Sequence, residues 1–478
     1  METAYQRLIA RVQDVGRMRA VSELLDWDQE VLMPDKGVNA RAEQTALLAG
    51  LAHERLVSDE TKELVDEAEV PGDDLPATTN LRETKRVFKR AASVPTELVK
   101  ELARVTSHAK NAWAKAREMS HFPTFAPHLA KIIELEKDVA ERIGYTTEPY
   151  DALMDEFEPG AKAAEVEALF AQLRDFTADL VERTRQAPNQ PDASILKRHY
   201  PKEKQATVAR RFSEALGFDF TAGRIDVSVH PFCTSPGGPG DVRITTRYFE
   251  DFLPASLFGV MHETGHALYE QGLPAERACT PSGQAVSLGI HESQSRLWEN
   301  MVGRGRAFWS RHFDSLKADF PEALGDVTLD QFYGAINTVS PSMIRVEADE
   351  VTYNLHIILR FEIERALFTG SLDHADVPEA WNEKMRKSLG IVPKDDSKGC
   401  LQDVHWSMGA FGYFPTYTLG NLYAAQFFAQ ARRDLPDLDG VLAKGETRPL
   451  LDWLRDRIHR HGQCYRAGEL VERVTGKP

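Results

Sequence analysis

SLFGVMHETGHALYEQGLP, residues 256–274, is the stretch from which the rest of the chain is best read. Leu257, Val260, Met261, Ala267 and Leu268 surround it with apolar side chains, so it reads as a mostly buried helix. His262 and His266 stand four residues apart and share one face of that helix. Both imidazoles can reach one tetrahedral Zn²⁺ at about 2.0–2.1 Å. Glu263 points beside such an ion, where it can take a proton from a water that the metal has made more acidic. The bland alternative is a core helix that happens to carry two histidines. Buried histidines and a glutamate need polar partners, however, and a metal provides them.

Working outward, IHESQSRLWEN (290–300) reads as a second helix entering the same place. Two histidines and a water leave one ligand unassigned, and Glu292 is the candidate. Its neighbour His291 competes, but adjacent helical residues point about 100° apart, so only one can face the ion. A carboxylate third ligand with an open fourth position belongs to catalytic rather than structural zinc. Glu299 falls on the same face as Glu292 and reads as a supporting or ion-paired carboxylate.

Upstream, RIDVSVHPF (224–232) and DVRITTRYF (241–249) alternate apolar and polar residues around the turn cluster CTSPGGPG (233–240). That pattern predicts a β-hairpin or two short antiparallel strands. Before it the chain is helix after helix. Leu8, Val12 and Val15 open a segment that runs to about Met33 and stops at Pro34; residues 40–57 follow, then a turn-rich stretch from Val70. Another helix enters at Pro95, and one starts at Pro201 and ends at Gly217. Residues 390–406 read as a polar loop. The fold expected is predominantly all-α, with a small antiparallel sheet, in one 478-residue body. Its parts are a helical region 1–222, the hairpin 223–250, a catalytic core 251–430 and C-terminal helices 431–478.

Charge narrows the function. Acidic residues outnumber basic ones, 73 to 58, giving a formal net charge of −15. That balance repels nucleic-acid phosphates and argues against a bulk DNA or RNA footprint. The four cysteines, Cys233, Cys279, Cys400 and Cys464, form no CxxC pair and read as reduced thiols of a cytoplasmic protein. The first twenty residues lack the apolar core of a signal peptide, and no run is long enough to span a membrane.

Taken together, these segments resemble the carboxypeptidase Taq family of zinc metallocarboxypeptidases along nearly the whole chain. The family's markers stand in order: HPF (His230, Pro231, Phe232), DxRxT (Asp241, Arg243, Thr245), HExxH (262–266) and HESQ (291–294). IRxxAD (Ile344, Arg345, Ala348, Asp349) and GxxQDxHW (Gly399, Gln402, Asp403, His405, Trp406) follow. LLDWDQEVLMP (24–34) and YDALMDEFEPG (150–160) also look familial. The resemblance implies Glu292 as third ligand, a deep groove beside the sheet, a homodimer, and removal of single residues from peptide C-termini with broad side-chain preference.

The remaining motif residues then acquire expected roles. A free α-carboxylate suits an arginine fork, and Arg345 and Arg243 are the candidates. Arg345 is expected on a helical stretch, where a simple ion pair with Asp349 one turn later is the bland alternative. Arg243 faces either the substrate or an acidic partner such as Asp241. His230 either lines the site or is a hydrogen-bonded structural histidine. By resemblance to related metallopeptidases, His405 and a tyrosine donate to the oxyanion. Tyr413 and Tyr417 compete for that place, with Tyr413 favoured by its flanking glycines; core packing is the alternative for both. Cobalt or manganese suits the same ligands as zinc. Two other functions compete: an endo-acting oligopeptidase on the same scaffold, and a peptide-binding protein without catalysis.

Overall fold

The computed structural model describes all residues except Met1, Pro71 and Val229. The last two fall within the expected turn and first strand, and lie outside the described residues. Helices dominate, as expected. The first runs from Ala4 to Val31, with Thr3 and Gln6 forming a capping box. The helix expected after Pro201 is Lys202–Leu216, and Gly217 ends it at φ 108°, a left-handed conformation that favours glycine. Among the described residues, no helix is long and apolar enough to cross a membrane.

The chain forms two compact units, each assembled from separated stretches. The first comprises residues 1–91, 191–336 and 420–478; the second comprises 92–190 and 337–419. In the second, the helix Glu350–Thr369 is central and packs against Pro149–Phe157, Ala163–Arg185 and Val377–Leu389. Phe361 of that helix meets Tyr150 and Phe170 edge-on, at 5.8 and 5.3 Å between ring centroids.

The first unit holds the sheet, which corrects the antiparallel hairpin. Its strands are β1 (Gly223–Val227), β2 (Cys233–Thr234) and β3 (Val242–Thr246), in the order β1-β3-β2. β1 runs parallel to β3, pairing Arg224 with Arg243; β2 is antiparallel to β3, pairing Cys233 with Ile244. Alternation fixes which side chains face the core but not the direction of the partner strand. β1 and β2 lie on the two edges of β3, and the chain returns from β2 to run between them as β3.

The helix carrying both histidines, Leu253–Glu270, is apolar on nearly every side and lies in the first unit's core. The helix carrying Glu292, Leu288–Arg296, is capped by Ser287 and runs directly into a π-turn over Leu297–Val302. The two helices touch at Gly265. A Cβ there would lie 2.6 Å from the Gln294 carbonyl oxygen and 2.6 Å from Ser295 Cα. The glycine inside HETGH therefore sets how closely the second helix approaches. Gly420 does the same from a third direction, since its Cβ would meet the Glu292 side chain at 2.6 Å.

This packing predicts opposite outcomes for two glycines on one helix. Gly265→Ala should destabilise the protein by about 1–3 kcal/mol through overpacking. Gly259→Ala, where a Cβ meets nothing within 4 Å, should be neutral or stabilising by up to about 1 kcal/mol. Chemical denaturation of the two variants measures the contrast.

Candidate metal centre and active site

His262, His266 and Glu292 come together as a set able to hold a metal ion, with their ligand atoms within 4.8 Å of one another. Glu292 Oε2 lies 3.6 Å from His262 Nε2 and 3.4 Å from His266 Nε2. Tetrahedral arms of about 2.0–2.1 Å place ligand atoms about 3.3–3.4 Å apart, so both glutamate–imidazole spacings are near those of a zinc-sized ion. His291, the sequence competitor, faces elsewhere: its Nδ1 is 2.6 Å from His266 Nδ1 and its Nε2 is 2.7 Å from Glu270.

Each donor is held from behind. His262 Nδ1 lies 2.9 Å from Glu299 Oε2, which matches the supporting role expected of Glu299. Arg296, which the motif reading passed over, donates to Glu292 Oε1 at 2.8 Å and to Glu299 Oε2 at 2.8 Å. Ser295 Oγ donates to Glu292 Oε2 at 3.0 Å. One arginine thus fixes both carboxylates, and its spacing of four and three residues from them was the available signal.

Charge in this pocket follows from burial and neighbours. Burial opposes ionisation of Glu292 and Glu299, but Arg296 together with the facing imidazoles outweighs it, holding Glu292 well below the usual range and Glu299 at about 2. Burial likewise opposes charge on His262, yet Glu292 and Glu299 lift it to about 9. Burial brings His266 down to about 4. Glu263 is only 6% exposed, and burial raises it to about 7. Two anionic carboxylates facing imidazoles make a pocket suited to a cation.

On the sheet, Arg243 grips Asp241 through Nε and Nη2, both at 2.8 Å, and its guanidinium lies 4.3 Å from the Trp27 ring centroid. Of the two partners expected for Arg243, the aspartate is therefore the one it holds. Thr245 Oγ1 accepts from Ser228 Oγ at 2.7 Å and from Phe232 N–H at 3.0 Å, anchoring the HPF loop. The His230 side chain is exposed, while its carbonyl accepts from Ser228.

The second unit gathers the other predicted residues. Arg345 stands on a short 3₁₀ turn, Arg345–Glu347, which corrects the helical placement. Asp349 is instead the N-cap of the next helix, accepting from Val351 and Thr352 N–H at 2.9 and 3.0 Å. Arg345 is 5% exposed and binds Asp403 Oδ1 through Nε (3.1 Å) and Nη2 (2.9 Å). Arg360 takes the other Asp403 oxygen at 2.6 Å, and Gln402 Oε1 accepts the Arg345 backbone N–H at 2.9 Å. The IRxxAD and GxxQDxHW motifs are therefore one hydrogen-bonded structure.

His405 begins the 3₁₀ turn His405–Met408. Its ring stacks near Phe414 at 4.5 Å, and Nε2 lies 3.4 Å from the Tyr417 hydroxyl. Burial lowers it to about 4, so it is neutral at neutral pH. Tyr413 lies 5.2 Å from the His405 ring, packed on Phe157. The glycines beside Tyr413 have other reasons to be there. Gly412 and Gly409 sit at φ 87° and 73°, with Met154 N and Glu136 Oε1 each 2.7 Å from a would-be Cβ. Glu364, fully buried, accepts from Trp406 Nε1 (2.8 Å), Gly412 N–H (3.0 Å) and Tyr150 Oη (2.6 Å), pinning both sides of the His405 turn.

These buried acids predict opposing pH effects on stability. Burial opposes the Asp403 charge, but Arg360 and Arg345 hold its carboxyl well below its unfolded value. Its contribution is complete above about pH 4 and is lost as pH falls further. Burial raises Glu364 to about 7, so that group costs stability as pH rises from about 4.5 to 7. Denaturation curves against pH should show Asp403→Asn losing about 3–5 kcal/mol at neutral pH and a shallower acid slope. Glu364→Gln should flatten the decline between pH 4.5 and 7.

A family model described as Carboxypeptidase Taq (M32) metallopeptidase matches residues 7–478. Thermostable carboxypeptidase 1 of Thermus thermophilus is 48% identical over 490 residues, covering 100% of this chain and 96% of that protein. Carboxypeptidase 1 of Bacillus subtilis is 40% identical over 456 residues, covering 95% and 91%. Among solved structures, Pyrococcus furiosus carboxypeptidase superposes with a TM-score of 0.96 at 38% identity, covering 100% of this chain and 96% of that one. With the HETGH helix, Glu292 and their supports in place, this chain belongs to the carboxypeptidase Taq family of metallopeptidases.

Proposed function

We propose that this protein removes single residues from the free C-termini of peptides, with broad side-chain preference and with zinc held by His262, His266 and Glu292. The donor set supports the metal best, because its spacing matches tetrahedral arms. Zinc, or cobalt or manganese in its place, supplies Lewis acidity at the scissile carbonyl and makes a water more acidic. Glu263 takes that water's proton and passes it to the leaving amine. Its raised affinity for a proton, near pH 7, suits a group that must both accept and release one.

The other roles extend the same reading. His405 with Tyr413 or Tyr417 donates to the oxyanion, and the 3.4 Å His405–Tyr417 approach supports Tyr417 alongside Tyr413. Arg345, with Arg243, holds the substrate α-carboxylate, each sharing a guanidinium that also binds an aspartate. His230, exposed before β2, lines the path of the peptide. The family resemblance adds a cytoplasmic homodimer.

The test is one unstructured peptide supplied as free acid and as C-terminal amide, followed by mass spectrometry. Stepwise loss of single residues from the acid alone, stopped by a chelator, is expected. Internal cleavage of both forms would mean an oligopeptidase and would remove the carboxylate role from Arg345 and Arg243. Binding without cleavage in any metal would leave a peptide-binding protein. Glu263→Gln should lower kcat about 10²–10⁴-fold. Of Tyr413→Phe and Tyr417→Phe, the one that removes the donor should lower kcat about 10²–10³-fold, and the other only a few-fold.

A further inference from the structure

The two metal histidines are supported differently. His262 leans directly on a carboxylate, Glu299. His266 reaches its carboxylate through a second imidazole: Nδ1 to His291 Nδ1 at 2.6 Å, then His291 Nε2 to Glu270 Oε1 at 2.7 Å. The other Glu270 oxygen accepts from Ser235 Oγ at 2.7 Å, one residue past β2. We propose that Ser235, Glu270 and His291 form a positioning relay that fixes His266 as a metal ligand and ties its orientation to the edge of the sheet.

Hydrogen-bond polarity supports this. Glu270 as a carboxylate only accepts, so His291 Nε2 carries the hydrogen. With that hydrogen on Nε2, His291 accepts at Nδ1, and the hydrogen between the two rings lies on His266 Nδ1. That leaves His266 Nε2 with a lone pair directed toward Glu292 and the ion. Glu270 is also costly where it stands. It is the last residue of its helix, where the negative end of the dipole disfavours an anion. Two charge-assisted hydrogen bonds, from Ser235 and His291, offset that cost. A glutamine would accept less strongly from the imidazole and an alanine would free the ring, so the carboxylate has a specific task.

This inference rests on the metal reading and is tested without relying on turnover. Protein stripped by a chelator is titrated with Zn²⁺ against a chromophoric competitor, and the Co²⁺-loaded form is examined by visible absorption. Glu270→Gln and His291→Ala should each weaken Zn²⁺ binding about 10–100-fold and shift the cobalt spectrum, while the metal-free proteins still unfold cooperatively. Ser235→Ala should weaken it about three- to tenfold. Because the residues act through one ligand, the Glu270→Gln/His291→Ala double variant should be no worse than its weaker single parent. Affinities within twofold of wild type, or losses that multiply in the double variant, would overturn the relay. A wild type that binds no Zn²⁺ would overturn the metal reading, and the relay with it.

Discussion

The Glu292 carboxylate sits between a guanidinium and two imidazoles, with Arg296 Nε 2.8 Å from one oxygen and His266 Nε2 3.4 Å from the other. Much of the first unit serves that position. Gly265 lets the Glu292 helix lie against the histidine helix, and Gly420 keeps a third segment from pressing on Glu292. Arg296 and the two imidazoles together keep the carboxylate ionised although it is buried, which an isolated acid in that place would not remain. The three donors are therefore assembled by packing and by charge before any ion is considered.

A buried cluster of this kind is stable only if every member is partnered. Glu299 answers His262 and shares Arg296 with Glu292. His291 and Glu270 answer His266. Glu263 alone among the acids here is raised toward neutrality by burial. Ionised acids and an acid raised toward its neutral form are thus separated by their surroundings rather than by residue type. The second unit repeats the logic without a metal donor set, since Asp403 binds Arg345 and Arg360 while Glu364 pins the turn around His405.

The parts legible in the sequence were those carried by local periodicity. The HETGH helix, the entry of Glu292 on a second helix, the support from Glu299 and the helical character of the chain all follow from spacing along a helix. What was illegible depended on partners far away in sequence. Alternation in residues 224–249 announced strands but not that β1 lies parallel to β3. Arg345 and Asp349 looked like a helical pair, yet Asp403, fifty-eight residues later, is the partner of Arg345, and Asp349 caps a helix. The glycines flanking Tyr413 read as allowing close approach, whereas Met154 and Glu136 stand where a side chain at those two positions would lie.

Anomalous diffraction at the zinc edge, from crystals of the zinc-loaded protein, tests most directly whether Glu292 joins the two histidines on the ion. One anomalous peak per chain is expected, bonded to His262 Nε2, His266 Nε2 and a Glu292 oxygen, with His291 turned toward Glu270. A peak liganded by His291 in place of Glu292, or zinc bound only elsewhere on the chain, would contradict it.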